Sequence, residues 1–238
     1  MKRFWKNVTV EPLDHGYGLA LDGRPVKTPA RARLTLATPA LAEAVAAEWA
    51  SVTEKLDPAK MPLTGLANAA QDLIATDPQA HVTRLAAYGA SDLLCYRAEN
   101  PDPLIKRQAE HWDPVLAWAA RRLDCHLTVT TGLMPVPQPA ETLARLEAAL
   151  AARPVTALAA HAQLIPLSGS LLLALALDEG ELSAEAAWAA ADLDDQFQAE
   201  HWGEDEEALA MRAHKRAAFM AAARFLALQV DDSRAQSR

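Results

Sequence analysis

The spacing of apolar residues changes once along this chain, at Thr38-Pro39, from alternation to a helical period, and that change limits the folds open to it. Between Phe4 and Leu36 the pattern is strand-like. Trp5, Val8 and Val10 are separated by polar residues, and Tyr17, Leu19 and Leu21 alternate with smaller ones. Asp22-Gly23 supplies a dipeptide suited to a tight hairpin turn with positive φ, and Arg24 to Lys27 resumes an extended course. These residues predict a small β meander whose short strands need a helix to cover one face.

Thr38-Pro39 itself is a start signal, a capping hydroxyl followed by proline at the first helical position. Leu41, Val45, Trp49, Val52 and Leu56 then recur on one face, which makes Trp49 part of a buried stripe, and Asp57-Pro58 is expected to end that helix. Met61-Pro62-Leu63-Thr64 reads as a joint. Beyond it the chain is alanine-rich and helical, with starts expected at Asp77-Pro78, Asp113-Pro114 and Ser183 and stops at Gly180 and Gly203. Only Leu127 to Thr131 resembles a strand. A last long helix is expected from Glu204-Asp205-Glu206-Glu207, its acidic start and later Lys215, Arg216 and Arg224 matching the helix dipole, with a polar, frayed tail after Val230. The expected class is α+β: a β-rich domain with one covering helix over residues 1–58, then a larger all-helical domain over 59–238.

Composition narrows the functions. A chain of 238 residues that is 51% hydrophobic can build its core without disulfides or metals. Its net charge of −8 opposes broad phosphate-backbone binding, so nucleic acid is not an expected partner. Cys95 and Cys125 lie far apart, without metal-ligand spacing, and read as reduced thiols. The longest apolar stretch, Leu164 to Leu177, is broken by Pro166 and by Ser168-Gly169-Ser170, too short a run to span a bilayer. At the start, Met1-Lys2-Arg3-Phe4-Trp5-Lys6 leads into polar alternation rather than an apolar signal segment, and a bacterial cytoplasmic protein is the expectation.

Motifs for catalysis are scarce. No Gly-rich phosphate loop is present, and Ser168-Gly169-Ser170, lacking a following lysine, reads as a helix start. Gln-Ala-Glu-His-Trp occurs twice, at 108–112 and 198–202, yet a Glu and His adjacent on a helix point about 100° apart and converge poorly on a metal. Flanking residues do not repeat, which makes the duplication a coincidence. His111 and His201 read as hydrogen-bonding groups near the surface and Trp112 as a packing residue, while Trp202 fits packing or contact equally.

One charged region stands apart because it encloses aromatic side chains. Asp192, Asp194 and Asp195 precede Phe197, while Glu200, Glu204, Asp205, Glu206 and Glu207 follow. Asp194, Phe197 and His201 share a helical face, as do Asp195, Gln198 and Trp202. Carboxylates mixed with aromatics suit a basic, partly apolar partner surface.

Several segments, taken together, resemble a family of mitochondrial and alphaproteobacterial chaperones that bind the ATP synthase alpha subunit before the catalytic hexamer is built. They are Arg3-Phe4-Trp5-Lys6, Leu21-Asp22-Gly23-Arg24-Pro25-Val26-Lys27-Thr28-Pro29, Glu48-Trp49, Met61-Pro62-Leu63-Thr64, Asp92-Leu93-Leu94-Cys95-Tyr96-Arg97, Trp112-Asp113-Pro114 and Trp202-Gly203. Their order and spacing carry the likeness. The resemblance implies a β-rich domain joined to a helical one, no catalysis and no cofactor, and a chain, monomeric when free, that holds the alpha subunit and shields its beta-contacting surface. It also implies an acidic position before the terminal Trp-Gly, where this sequence has Asp194 and Asp195 in place of glutamates and so keeps charge with a shorter reach. For eukaryotic relatives the implied compartment is the mitochondrial matrix.

On this reading the docking face comprises Asp194, Asp195, Phe197, Glu200, Trp202 and Glu204, with no catalytic or metal-binding residues. A rival reading is a small-molecule enzyme with acid–base residues in an inter-domain cleft and Arg97 or Arg24 steering an anion. A scaffold with another partner is the third.

Overall fold

The computed structural model describes residues 2–132, 134–203 and 205–230. Its elements run β1 (Val8–Leu13), β2 (Gly16–Leu21), β3 (Arg24–Pro25), α1 (Pro39–Ser51), α2 (Pro62–Asp72), α3 (Pro78–Ala86), β4 (Tyr96–Arg97), α4 (Asp102–Leu123), β5 (Thr130–Thr131), α5 (Ala140–Ala151), α6 (Val155–Ser168), α7 (Leu171–Asp178), α8 (Ala184–Ala191), α9 (Leu193–Trp202) and α10 (Glu206–Ala227). Strands near the start and, among the described residues, ten α-helices after them make the α+β class that the change of period predicts.

Among the described residues, contacts group those from Lys2 to Pro78 with Pro154–Ala160 and Arg224–Val230 in one compact unit, and those of Gln79–Arg153 with those of His161–Ala223 in a second. From the sequence a boundary is expected after residue 58; α2 falls within the first unit.

In the first unit β1, β2 and β3 form an antiparallel meander. Asp22 and Gly23 both take positive φ, 48° and 78°, which turns β2 into β3 with Leu21 opposite Arg24. The Asp22 carboxylate accepts the backbone N–H groups of Asn7, at 2.9 Å, and Lys6, at 3.1 Å, and these bonds hold its pKa below the usual carboxylate value. Leu19 and Leu21 are buried, as are Leu41, Val45 and Trp49 of α1, the helix that packs on the sheet. Thr38 caps α1 as expected, accepting from the Leu41 N–H at 3.1 Å.

That helix ends at Ser51, earlier than Asp57-Pro58, because the next residues find extended partners. Arg3 N–H donates to the Glu54 carbonyl at 2.8 Å, Lys2 bridges Lys55, and the Arg3 guanidinium reaches the Val52 carbonyl. Glu48, near the end of α1, accepts from the N–H groups of Leu63 and Thr64, both at 2.8 Å, and from the Thr64 hydroxyl at 2.7 Å. It thereby supplies the free N–H groups of the first turn of α2 with a carboxylate.

Within the second unit, α4 corrects one expected start. Asp113-Pro114 lies inside a helix that begins at Asp102, with Pro103 in its first turn, the position where a missing N–H costs nothing. Pro114 is exposed, so the carbonyl it leaves unbonded within the helix is on the solvent side. The apolar stretch from Leu164 folds as the end of α6 and as α7, which is buried from Leu171 to Ala176, and no described helix is long and apolar enough to cross a membrane. Of the strand expected at Leu127 to Thr131, only β5 forms, parallel to β4 with Tyr96 opposite Thr130. Starts at Pro78 and Ser183 and stops before Gly180 and Gly203 fall where the sequence places them. Cys95 and Cys125 are buried free thiols. The tail after Val230 lies outside the described residues.

Candidate functional site

Helix α9 is ten residues long and is held from two directions. At its start the buried Asp192 carboxylate accepts from Nε and Nη2 of Arg212, at 2.7 and 2.6 Å, which ties it to α10. On the other side lies α4. Gln108 Nε2 donates to Asp194 Oδ1 at 2.8 Å, and Arg107 meets Glu200 through two bonds of 3.1 and 2.9 Å. Burial raises the Asp194 pKa, and the bond from Gln108 works against that rise. The Arg107 hydrogen bond lowers the Glu200 pKa.

Phe197 is only 2% exposed, with the Arg107 guanidinium 5.3 Å from its ring centroid and the His201 ring stacked at 4.1 Å. A place on the contact surface is the expectation for this residue, and the fold corrects it: the ring packs beneath the face and fixes the helix that bears it. Glu204 lies outside the described residues.

Asp195, Gln198 and Trp202 point outward along the opposite edge of α9, all exposed, Trp202 to 76%. Gly203, at φ 80°, stops the helix there and leaves the indole at its free end. Between this edge and α10 runs a cleft of about 610 Å³, with Ala208, Met211 and Lys215 on the α10 side and Trp188 and Asp192 deeper in. Leu209 and Met211 are more than half exposed, in a stretch of α10 where nearly every side chain meets solvent. Sequence reasoning misses this second wall, because Met211, next to Arg212 and one turn from Lys215, stands among charges and belongs to no apolar helical stripe.

The duplicated pentapeptide shows how context decides. Gln108 and Trp112 are buried in α4, and the Trp112 indole donates to the Ala190 carbonyl at 2.8 Å, whereas Gln198 and Trp202 face solvent. His111 is exposed, and His201 bonds the Phe197 carbonyl at 2.8 Å. Among the described residues no group of three or more His, Cys, Asp or Glu side chains could hold a metal ion. Arg97, one of the two anion-steering candidates of the enzyme reading beside Arg24, is committed to Asp113 at 2.7 Å and to the face of Trp112 at 5.1 Å.

Comparison with known proteins places this arrangement. A family model described as ATP12 chaperone protein matches residues 2–120. The crystal structure of Atp12 from Paracoccus denitrificans is 43% identical in sequence and superposes with a TM-score of 0.91, over 96% of this chain and 98% of that one. This chain belongs to the ATP12 chaperone family. It is the family of ATP synthase assembly chaperones that the sequence motifs resemble. A further solved structure, from Agrobacterium tumefaciens, is 43% identical with a TM-score of 0.89, over 94% of this chain and 85% of that one. The mitochondrial protein atp12 of Schizosaccharomyces pombe is 26% identical over 219 residues, 87% of this chain and 75% of its own length.

Most of the motif residues on which the resemblance in sequence rests are structural. Glu48 joins Leu63 and Thr64, and Arg97 joins Trp112 and Asp113. Asp92, fully buried, accepts from the Ser170 hydroxyl at 2.7 Å and from the N–H groups of Leu172 and Leu94, both at 3.1 Å, so it fastens the start of α7. Trp202-Gly203 differs from these, since its side chain is left outside.

Proposed function

We propose that this ATP12-family chain binds the free alpha subunit of the ATP synthase, covers the surface that later meets beta, and yields it as the catalytic head assembles. It does so without catalysis or a cofactor, as a monomer in the cytoplasm of a bacterium. The docking face is the α9 edge: Asp195 and Trp202 make contact, Asp194 and Glu200 set the local charge, and Phe197 supports the helix from below, with Glu204, which follows Gly203 in the sequence, adding a further negative charge.

Trp202 is the observation that carries this reading. An indole 76% exposed at a helix end gains nothing for the fold, yet tryptophan is among the residues that dominate interface energetics when desolvated. The physical need is clear as well, because subunits of a permanent ring expose large apolar interfaces before assembly.

The test is capture of purified alpha by the immobilised chain, with alpha either free or within an alpha–beta ring. Capture of free alpha alone supports the shielding mechanism, and equal capture of both overturns it.

A further inference from the structure

The cleft between α9 and α10 has walls of unlike charge. Asp192 and Arg212 neutralise one another in its depth. Of the α9 carboxylates, Asp194 is engaged by Gln108 and Glu200 by Arg107, while Asp195 has no side-chain partner among the described residues. It opens into the cleft on the same edge as Trp202. Across from it stand Met211 and the exposed Lys215.

We propose that this cleft is a socket for one kind of client segment, in which an aliphatic or aromatic side chain stands beside an arginine or lysine. The proposal rests on the alpha-binding reading above. The apolar side chain enters between Trp202 and Met211, where both lose water-exposed surface. The cation meets Asp195, and its approach over the indole face adds attraction. Lys215 repels the same cation from the α10 wall, so the pair of walls fixes which way the segment lies. An acidic segment would meet Asp195 and the carboxylate of Asp205 at the rim, and is disfavoured by like charge.

Binding of purified alpha to the wild-type chain, measured by fluorescence anisotropy, is compared with Asp195→Lys, Lys215→Glu and Met211→Ala, all at exposed positions. Circular dichroism of each variant checks the fold. Asp195→Lys should weaken binding about tenfold or more, Lys215→Glu should tighten it about threefold, and Met211→Ala should weaken it. Weaker binding by Lys215→Glu, or unchanged binding by Asp195→Lys, overturns the socket while leaving alpha binding in place. A wild-type chain that does not bind alpha overturns both.

Discussion

Gln108 joins a helix and a loop with one amide: its Nε2 donates to Asp194 of α9 at 2.8 Å and its Oε1 accepts from the N–H of Ala98, just after β4, at 2.9 Å. A residue 1% exposed therefore links the chain after β4 to the first turn of α9. Gln108→Leu keeps the volume and removes both bonds, leaving a backbone donor and a carboxylate oxygen short of a partner. The expected loss is about 1–3 kcal/mol, read by urea denaturation. Because this bond opposes the burial that raises the Asp194 pKa, that carboxyl should titrate higher still in the variant, observable by carbon NMR.

The two tryptophans of the repeated pentapeptide should respond in opposite ways. Trp112→Ala empties a fully buried site and should cost about 3–5 kcal/mol of stability. Trp202→Ala removes an exposed ring, so stability should move by no more than about 0.5 kcal/mol, while affinity for free alpha falls by about 2 kcal/mol, roughly 30-fold. Thermal melts and binding isotherms on both variants check the pair.

Asp92 should give stability an unusual pH dependence. Burial pushes its carboxyl up to about 6, against the hydrogen bonds from Leu172, Ser170 and Leu94. An unfolded aspartate titrates near ~4, so between these values the folded chain keeps a proton that the unfolded chain has released. This contribution is complete below the unfolded value and is lost as pH rises through the folded one. Wild-type stability relative to Asp92→Asn should therefore fall between about pH 4 and pH 6 and level off above, measured by denaturation across that range. A difference that rises over the same window contradicts the assignment.

How much the sequence discloses depends on whether the deciding interaction is local. The meander, the Asp22-Gly23 turn, the Thr38 and Ser183 caps and the stop at Gly203 rest on residues within one turn of one another, and all are legible. Where a distant partner decides, local signals mislead. Val52 continues the apolar stripe of α1, but the chain pairs with Arg3 instead, and Asp113-Pro114 carries a start signal inside a helix already running. Identical pentapeptides cannot announce that one tryptophan faces Ala190 and the other solvent. Phe197 is misplaced for the same reason: its spacing with Asp194 and His201 is correct, but which side of α9 meets α4 depends on Arg107 and Gln108, some ninety residues away.

Competition by the permanent partner tests the central claim most directly. A complex of this chain with alpha, labelled on both proteins, is titrated with purified beta under assembly conditions while energy transfer between the labels is followed. Masking of the beta-contacting surface requires that transfer be lost as alpha–beta contacts form, with free chaperone recovered by size exclusion. Retention of all three proteins in one stable complex would contradict it.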